Sequence, residues 1–500
     1  MNSYLYLKSG SDIRGTAVAT ENSSVELTDQ VVFKITVAFC KWLEEKGYKG
    51  DRIAVGHDSR ISAERIKKQV INGLGQFGKE IYDCSFASTP AMFMTTVDAK
   101  CVASVQITAS HHPYDKNGLK FFTVDGGLNP EDIERILILA EESYENKSVK
   151  PNVISFDFMS VYAERLKNMI KTAVNTENFD KPLDGFKIVV DAGNGVGGFY
   201  ATDVLAPLGA DITGSQFLEK DGMFPNHTPN PENKEAMKSI CNATVNNGAD
   251  LGIIFDTDVD RAGCVDKNGN EINRNRLVAL ASLIALENCP GGTVVTDSVT
   301  STGLTDFICN TLGGVHLRYK RGYRNVINKQ LELDKKGVLC PLAMETSGHA
   351  AFKENFYLDD GAYLITKIII KMAQLGKEGK SLESLISSLK EPTEALEIRL
   401  KILEKEFKKY GLKVIDDLKI YANATDAWRV ADDNYEGIRV YFDDEEIKGW
   451  LLLRLSVHDP IMPLNIESDI GGGNEKIIRK FYSFIKKYDR LDLTVIENML

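Results

Sequence analysis

Leu251-Gly252-Ile253-Ile254-Phe255-Asp256-Thr257-Asp258-Val259-Asp260-Arg261 passes from an apolar, branched run straight into three alternating carboxylates. A run of this kind reads as a buried strand that opens into a loop. The same pattern recurs at Ile53-Ala54-Val55-Gly56-His57-Asp58, at Ile188-Val189-Val190-Asp191-Ala192-Gly193 and at Thr293-Val294-Val295-Thr296-Asp297-Ser298. Between these runs, residues 63–77, 130–144, 162–174, 276–286 and 304–312 space their apolar residues as helices do. The alternation predicts α/β units with largely buried sheets, whose functional loops lie at the carboxyl ends of strands. Asp256 occupies such a position, and so does Ser110, which follows Val102-Ala103-Ser104-Val105-Gln106-Ile107.

A chain of 500 residues exceeds what one hydrophobic core supports, so three or four domains are expected. Hydrophobic residues at 43 % and charged residues at 26 % argue against long disorder. Plausible joints fall at 146–152, 267–273 and 391–394, where polar, Gly or Pro residues interrupt the pattern. The last hundred residues differ. An antiparallel pair is expected at 437–442 and 450–457, then a turn at Gly471-Gly472-Gly473 before a helix over 477–488, which together make a smaller α+β domain.

The opening Met1-Asn2-Ser3-Tyr4-Leu5-Tyr6 lacks a basic segment followed by an apolar one, and the longest apolar stretches, such as 277–286, are too short to span a bilayer. A cytoplasmic protein without membrane attachment is the expectation. The eight cysteines never form a Cys-x-x-Cys pair and read as reduced thiols. A net charge of −11 disfavours nucleic acid as a partner and on average repels an anionic substrate, so any phosphate site must be a local basic cluster. The densest is Arg318-Tyr319-Lys320-Arg321-Gly322-Tyr323-Arg324, with further cations at Arg14, Lys120, Arg261 and Arg454.

Thr108-Ala109-Ser110-His111-His112-Pro113 offers a hydroxyl with a histidine beside it, and Asn117-Gly118-Leu119-Lys120 follows. With three carboxylates able to hold a hard cation, these are the parts that phosphoryl transfer through a covalent serine phosphate requires. On an extended strand Asp256, Asp258 and Asp260 share one face; on a tight loop they converge. Three carboxylates and a phosphate oxygen make an oxygen-only shell suited to Mg²⁺. An EF-hand fails, because its sixth position is Arg261 and its twelfth Lys267 where Gly and Glu are required. Phosphorylation of Asp256 itself is the sharper rival, but it leaves the serine loop without a role. Met344-Glu345-Thr346-Ser347-Gly348-His349 offers a carboxylate and a hydroxyl for sugar hydroxyls, and a histidine for acid or base work. Arg454-Leu455-Ser456-Val457-His458-Asp459 offers a guanidinium, a hydroxyl and backbone N–H groups for a phosphate.

Taken in order, these segments resemble the α-D-phosphohexomutase superfamily over essentially the whole chain. Ser9-Gly10-Ser11-Asp12-Ile13-Arg14-Gly15 resembles its opening loop, 108–113 its phosphoserine loop, 256–261 its metal loop and 345–349 its sugar loop. The resemblance implies three related α/β domains with mixed sheets (1–150, 151–268 and 269–392) and a smaller α+β domain (393–500) around a central cleft. It implies Ser110 as the phosphoserine, and Asp256, Asp258 and Asp260, with Ser110, as the Mg²⁺ ligands. Arg14, His111, Lys120, Arg261 and His349 would surround the transferring phosphoryl group, with Lys120, His111 and His349 the candidates for acid and base. Glu345 and Ser347 would bind sugar hydroxyls, and Gly322-Tyr323-Arg324 would form the specificity loop.

The implied reaction moves phosphate between O6 and O1 of a hexose, with a hexose 1,6-bisphosphate as intermediate and activator. Arg454, Ser456 and His458 would clamp the distal phosphate, although the family's Ser-Gly-Thr-Glu-Pro reads Ser456-Val457-His458-Asp459-Pro460 here and an expected arginine falls on Pro463. The sugar loop resembles those of mutases acting on glucose and mannose phosphates, so a phosphomannomutase or phosphoglucomutase is expected, working on a free sugar phosphate as a monomer or homodimer. The alternatives are a phosphoglucosamine mutase and, in another class, a catalytically weak regulatory protein that binds a sugar bisphosphate.

Overall fold

The computed structural model describes residues 3–142, 144, 147–456 and 459–500. The chain divides into two compact units, residues 1–284 with 347–385, and residues 285–346 with 386–500.

The first unit opens with an eight-stranded sheet. Its path runs Lys8–Ser9, Asp12–Thr16, Lys116–Thr123, Ala103–Ile107, Arg52–His57, Glu80–Phe86, Asn152–Ser155, with Gly126–Gly127 paired to Lys116–Thr123. The sheet is mixed: Arg52–His57 lies parallel to Ala103–Ile107, whereas Lys116–Thr123 returns antiparallel and sets Lys120 opposite Gln106. Strand alternation sorts the two faces. Ile53, Val55, Ala103, Val105 and Ile107 enter one core with Val32, Phe39, Ile66, Val70, Ile133 and Leu137 of the helices Asp29–Glu45, Ala63–Gly75 and Pro130–Ala140. On the other face Ser104 Oγ and Gln106 Nε2 donate to the carbonyls of Met92 and Ala87, at and just before the helix Thr89–Asp98, while Gln106 Oε1 has no hydrogen-bond partner among the described residues.

The joint expected at 146–152 does not end this sheet. Asn152–Ser155 pairs parallel with Glu80–Phe86 and carries it past residue 150, while Asn146 lies outside the described residues.

The second sheet runs Glu271–Ile272, Ala262–Asp266, Leu251–Phe255, Ile188–Asp191. Phe255 pairs with Ala262, so residues 256–261 are the connection of a hairpin, and the tight-loop alternative for the three aspartates is the one that holds. Closing that loop forces Val259 to φ 67, which a β-branched residue rarely adopts. A hairpin of Ala350–Phe352 and Leu358–Asp359 sits against it through a bridge between Arg261 and His349. The helix Gly361–Gly376 follows, capped by Asp360, whose carboxylate accepts from the Tyr363 amide and from the Tyr162 hydroxyl of Phe158–Val174. Gly361 is required at this start. A Cβ there would lie 2.8 Å from Arg261 C and 2.9 Å from Val259 O.

The second unit contains three parallel strands, Val315–Arg318, Thr293–Thr296 and Leu342–Met344, and a six-stranded antiparallel sheet. Its order is Trp428–Val430, Ile438–Phe442, Gly449–Leu453, Ile461–Ser468, Glu394–Ile402, Leu491–Asp492. The helices Phe407–Asn423 and Gly473–Ile485 bury Val414, Leu418, Phe481 and Phe484 against Leu400, Val440, Leu451 and Leu464. This is the expected α+β domain, with its second strand ending at Leu453 rather than running on to Val457, a residue outside those described. The helix expected over 304–312 is Thr302–Asp306 followed by a wider turn, Phe307–Thr311.

Candidate active site

Ser110 is buried, three residues beyond the end of Ala103–Ile107, at φ 53. A residue with a Cβ needs external support to hold that backbone. The Ser110 amide donates to Thr108 Oγ1 (2.8 Å), and Thr108 donates to Asp58 Oδ2 (2.7 Å). Arg60, which donates from Nε to the same Asp58 oxygen (3.2 Å), spreads its guanidinium under the loop. Nη1 meets the carbonyls of Pro113 (2.6 Å) and Lys116 (3.0 Å), and Nη2 those of His112 (2.6 Å) and Ser110. Sequence reasoning did not single out Asp58 or Arg60. The signal available was their position, directly after the strand Arg52–His57 and so in the same class of loop as Ser110 and Asp256.

The Ser110 hydroxyl donates to Asp256 Oδ2 (3.0 Å) and accepts from Arg261 Nη2 (2.9 Å). Arg261 also donates from Nε and Nη2 to Asp256 Oδ2 (3.1 and 2.9 Å), and Nη2 donates to His111 Nδ1 (2.6 Å). One oxygen from each of Asp256, Asp258 and Asp260 falls within 4.8 Å of the others, and all three residues are buried. Lys120 Nζ donates to Asp258 Oδ2 (3.2 Å) and to Asp260 Oδ2. Thr89 donates to Asp258 from its hydroxyl (2.5 Å, to Oδ2) and from its amide (2.9 Å, to the carbonyl). Oδ1 of Asp258 and Oδ1 of Asp260 have no hydrogen-bond partner among the described residues. Burial and then the neighbouring Asp260 push the Asp256 carboxyl well above the usual range, as expected where carboxylates crowd one dry site. A donor set this rich in buried oxygen charge fits a hard divalent cation.

The two histidines are held in opposite states. Burial and then the Arg261 charge keep His111 far below its ordinary value, so its Nδ1 accepts from Arg261 as a neutral ring must. Burial also works against the His349 cation, but Asp359 and Asp260 outweigh it and hold the pKa at about 9. His349 Nδ1 lies 2.5 Å from Asp359 Oδ2. Environments that push two titratable groups apart in this way separate a base from an acid. Arg14 lies on Asp12–Thr16, paired to Asp12 at 2.9 Å, and its charge contributes to the depression of His111. Ser110, His111, Lys120, Arg14, Arg261, His349 and the three aspartates all belong to the first unit, as does the buried Ser347.

Glu345 belongs to the second unit, where its Oε1 accepts from the Gly322 amide (2.6 Å). Gly322, at φ 112, caps a helix, Tyr323–Lys335, so Tyr323 and Arg324 form its first turn rather than a loop. Arg454 is buried, with Nη1 3.6 Å from Glu436 Oε1 and Nη2 donating to Asn465 Oδ1 at 3.4 Å. Glu436 also accepts from the Ser298 hydroxyl and from the Arg321 amide. Ser456 Oγ accepts from the Asp459 amide (3.2 Å), while His458 lies outside the described residues. Pro463, in place of an expected arginine, pairs with Arg399, whose guanidinium is drawn to Glu397 (2.9 Å).

Residues 7–147, 160–269 and 273–392 match the three models described as phosphoglucomutase/phosphomannomutase, alpha/beta/alpha domains I, II and III. A phosphoglucomutase of Neisseria gonorrhoeae is 30% identical over 482 residues, 96% of each chain. A phosphomannomutase/phosphoglucomutase of Pseudomonas syringae pv. tomato is 31% identical over 438 residues, 87% of each. Among solved structures, a phosphoglucomutase/phosphomannomutase family protein of Burkholderia thailandensis superposes with a TM-score of 0.77 at 26% identity, covering 97% of this chain and 98% of that one. With a serine, three carboxylates and opposed histidines gathered in one buried cluster, and likeness along nearly its full length, the chain belongs to the phosphoglucomutase/phosphomannomutase family of the α-D-phosphohexomutase superfamily.

Proposed function

We propose that this phosphohexomutase moves phosphate between O6 and O1 of glucose and of mannose, carrying it on Ser110 and passing through a hexose 1,6-bisphosphate. One observation carries the reading: a single buried cluster in which Ser110 Oγ meets both the Asp256 carboxylate and the Arg261 guanidinium. The names of the relatives, which include both glucose and mannose mutases, support the choice of sugars.

Asp256, Asp258 and Asp260, with an oxygen of phospho-Ser110, are the proposed ligands of a Mg²⁺ ion. Bound there, the ion offsets the charge of the transferring phosphoryl group. Arg261 holds the serine oxygen in line, and Arg60 keeps its loop in the left-handed conformation that aims it. Lys120, His111 and His349 are the candidates for carrying the proton between the sugar hydroxyl and Ser110; Asp359 and Asp260 hold His349 as the cation an acid must be, whereas burial and Arg261 weaken His111 as a base. Lys120 pairs with Asp258 and Asp260 and, with Arg14, presents positive charge to the phosphoryl oxygens. Glu345 and Ser347 are assigned to sugar hydroxyls, Gly322, Tyr323 and Arg324 to sugar choice, and Arg454, Ser456 and His458 to the phosphate that is not being transferred. The protein is assigned to the cytoplasm as a monomer or homodimer acting on a free sugar phosphate without nucleic acid or membrane; eight cysteines in no disulfide support a reducing compartment, and a net charge of −11 argues against nucleic acid.

Rates with glucose 1-phosphate, mannose 1-phosphate and glucosamine 1-phosphate, measured side by side with Mg²⁺ and a trace of bisphosphate, test the assignment. Turnover of the first two within tenfold of each other, and slower turnover of the third, is expected (about 1–3 kcal/mol separates sugars that differ by one contact). A preference for glucosamine 1-phosphate overturns the sugar choice. Tight bisphosphate binding with no turnover of any sugar overturns the enzyme reading.

A further inference from the structure

Between the strand Ile188–Asp191 and the helix Lys234–Asn246, residues 221–231 form a strap that is neither helix nor strand. Polar anchors hold it. The Asp221 amide donates to the Asn194 carbonyl (3.0 Å), Asn226 Nδ2 to Asn194 Oδ1 (2.7 Å) and Asn273 Nδ2 to the Pro231 carbonyl (2.9 Å). Near one end Gly222 lies directly on residues 59–61. A Cβ there would come within 2.4 Å of Ser59 O and of Ile61 N, so only glycine lets the two backbones approach this closely. The approach delivers Phe224 to Arg60, with the ring centre 5.2 Å from the guanidinium carbon. Phe224 sits at φ 50, a backbone that a bulky residue rarely adopts and that its surroundings must hold. At the other end Asn230 Oδ1 accepts from Arg261 Nη1 (3.4 Å). One short segment therefore touches both arginines that hold Ser110, Arg60 at its carbonyl and Arg261 at its hydroxyl.

Arg60 is 2 % exposed, and its N–H groups are taken by oxygens of Asp58, Ser110, His112, Pro113 and Lys116. Those bonds lie in the guanidinium plane and resist shifts within it. The contact with Phe224, cation to π face, adds a restraint of another kind. Burial also works against the Arg60 charge, and a π face favours that charge where an aliphatic side chain of like size does not. We propose that Phe224 is a positioning residue for phosphoryl transfer: it holds Arg60 against the carbonyls of residues 110–116 and so keeps Ser110 in the left-handed backbone that aims its hydroxyl, while Asn230 steadies Arg261 from the same strap. The proposal rests on Ser110 as the nucleophile. Its new content is that the support of the serine loop extends into the chain segment of the second sheet, through a side chain that touches neither Ser110 nor the aspartates.

The test is a double-mutant cycle on the full chain, with glucose 1-phosphate, Mg²⁺ and a trace of bisphosphate. Phe224→Leu is expected to lower kcat about 10-fold while KM stays within about twofold, and Phe224→Tyr, which keeps the ring, should retain most of the rate. In an Arg60→Lys chain the further cost of Phe224→Leu should be under about twofold, because a residue that acts through another is not additive with it. Amide hydrogen exchange across residues 108–113, read by mass spectrometry, should quicken in Phe224→Leu at an unchanged urea midpoint, whichever residue carries phosphate. Phe224→Met takes the place of the leucine variant should that fail to fold by near-ultraviolet circular dichroism. Full rate in Phe224→Leu, an equal loss in Phe224→Tyr, additive losses in the cycle or unchanged exchange each overturn the proposal. Ser110→Ala, run alongside, separates the two readings. Full rate there overturns the nucleophile and this proposal with it, whereas an inactive Ser110→Ala beside an additive cycle overturns the role of Phe224 alone.

Discussion

The Nη2 group of Arg60 donates to the carbonyl of Ser110, so a residue fifty positions earlier in the chain holds the backbone of the proposed nucleophile. The same guanidinium engages the carbonyls of His112, Pro113 and Lys116, and Asp58 ties it to Thr108. Lysine has one donor centre and cannot bridge four carbonyls in a fork. Arg60→Lys is therefore expected to lower kcat about 100-fold with a smaller change in KM, because a displacement near 1 Å at a reacting atom has that effect. The fraction of Ser110 carrying phosphate, read by intact-protein mass spectrometry, should fall with it. Unchanged kcat would remove Arg60 from the positioning role.

Ser110→Ala is expected to reduce turnover by about 10⁴-fold or more, as loss of a nucleophile does elsewhere, and to remove the acid-stable phosphate from the purified protein. A full-rate alanine variant, or stable phosphate mapped to another residue, is incompatible with phosphoryl transfer through this serine. Hydroxylamine-labile phosphate would point to Asp256 instead.

Much of this site is legible in the sequence because its signals are local. The apolar run before Asp256 marks the strand Leu251–Phe255, and the acidic triplet directly after it marks the loop. What the sequence does not reveal is set by distant partners. Asp58 and Arg60 look like ordinary loop residues until the parallel pairing of Arg52–His57 with Ala103–Ile107 brings them under Ser110. The opposed states of His111 and His349 depend on burial and on Arg261 and Asp359, none of which the neighbouring residues disclose. The family resemblance alone places Tyr323 and Arg324 in a loop, yet the positive φ of Gly322 begins a helix there. The strand Asn152–Ser155 falls where polar residues suggested a joint, and only its pairing with Glu80–Phe86 assigns it to the first sheet.

Gly361→Ala tests how tightly the aspartate loop is wedged. The added Cβ would meet Arg261 C at 2.8 Å, Val259 O at 2.9 Å and Arg261 O at 3.0 Å, all backbone atoms that cannot rotate away. A destabilisation of about 1–3 kcal/mol is expected from overpacking, together with weaker Mg²⁺ activation, since the loop must move to make room. Urea unfolding and Mg²⁺ titration of the rate measure the two effects; a variant altered in neither contradicts the wedge.

His227 supplies a pH signature away from the chemistry. Its Nε2 lies 3.1 and 3.0 Å from the two carboxylate oxygens of Asp191, and its Nδ1 donates to the Thr228 carbonyl (3.0 Å). Burial lowers its pKa, but the Asp191 hydrogen bond and charge prevail and raise it overall. A raised folded-state value means that the pair's contribution is complete below the unfolded value of about 6.5 and is lost as pH climbs through the folded one. Unfolding free energy should therefore decline above neutral pH in the unaltered chain and decline less in His227→Gln. Replacement of His227 by Ala should cost about 1–3 kcal/mol near pH 6, because it removes the cation beside buried Asp191 and leaves it only the hydrogen bonds from the Gly193 amide and Gln216. Parallel pH profiles for the two chains would argue against the ion pair.

The side chains that reach the three aspartates from outside the second sheet and its hairpin come, among the described residues, from the first sheet's segment of chain: Thr89 and Lys120 on Asp258, Lys120 on Asp260, Ser110 on Asp256. A chimaera spliced near residue 150 would take Ser110 from one parent and the three carboxylates from the other. Such a hybrid can function only where these few contacts match, so the first two α/β segments cannot be exchanged as independent cassettes, and in evolution they are expected to change together.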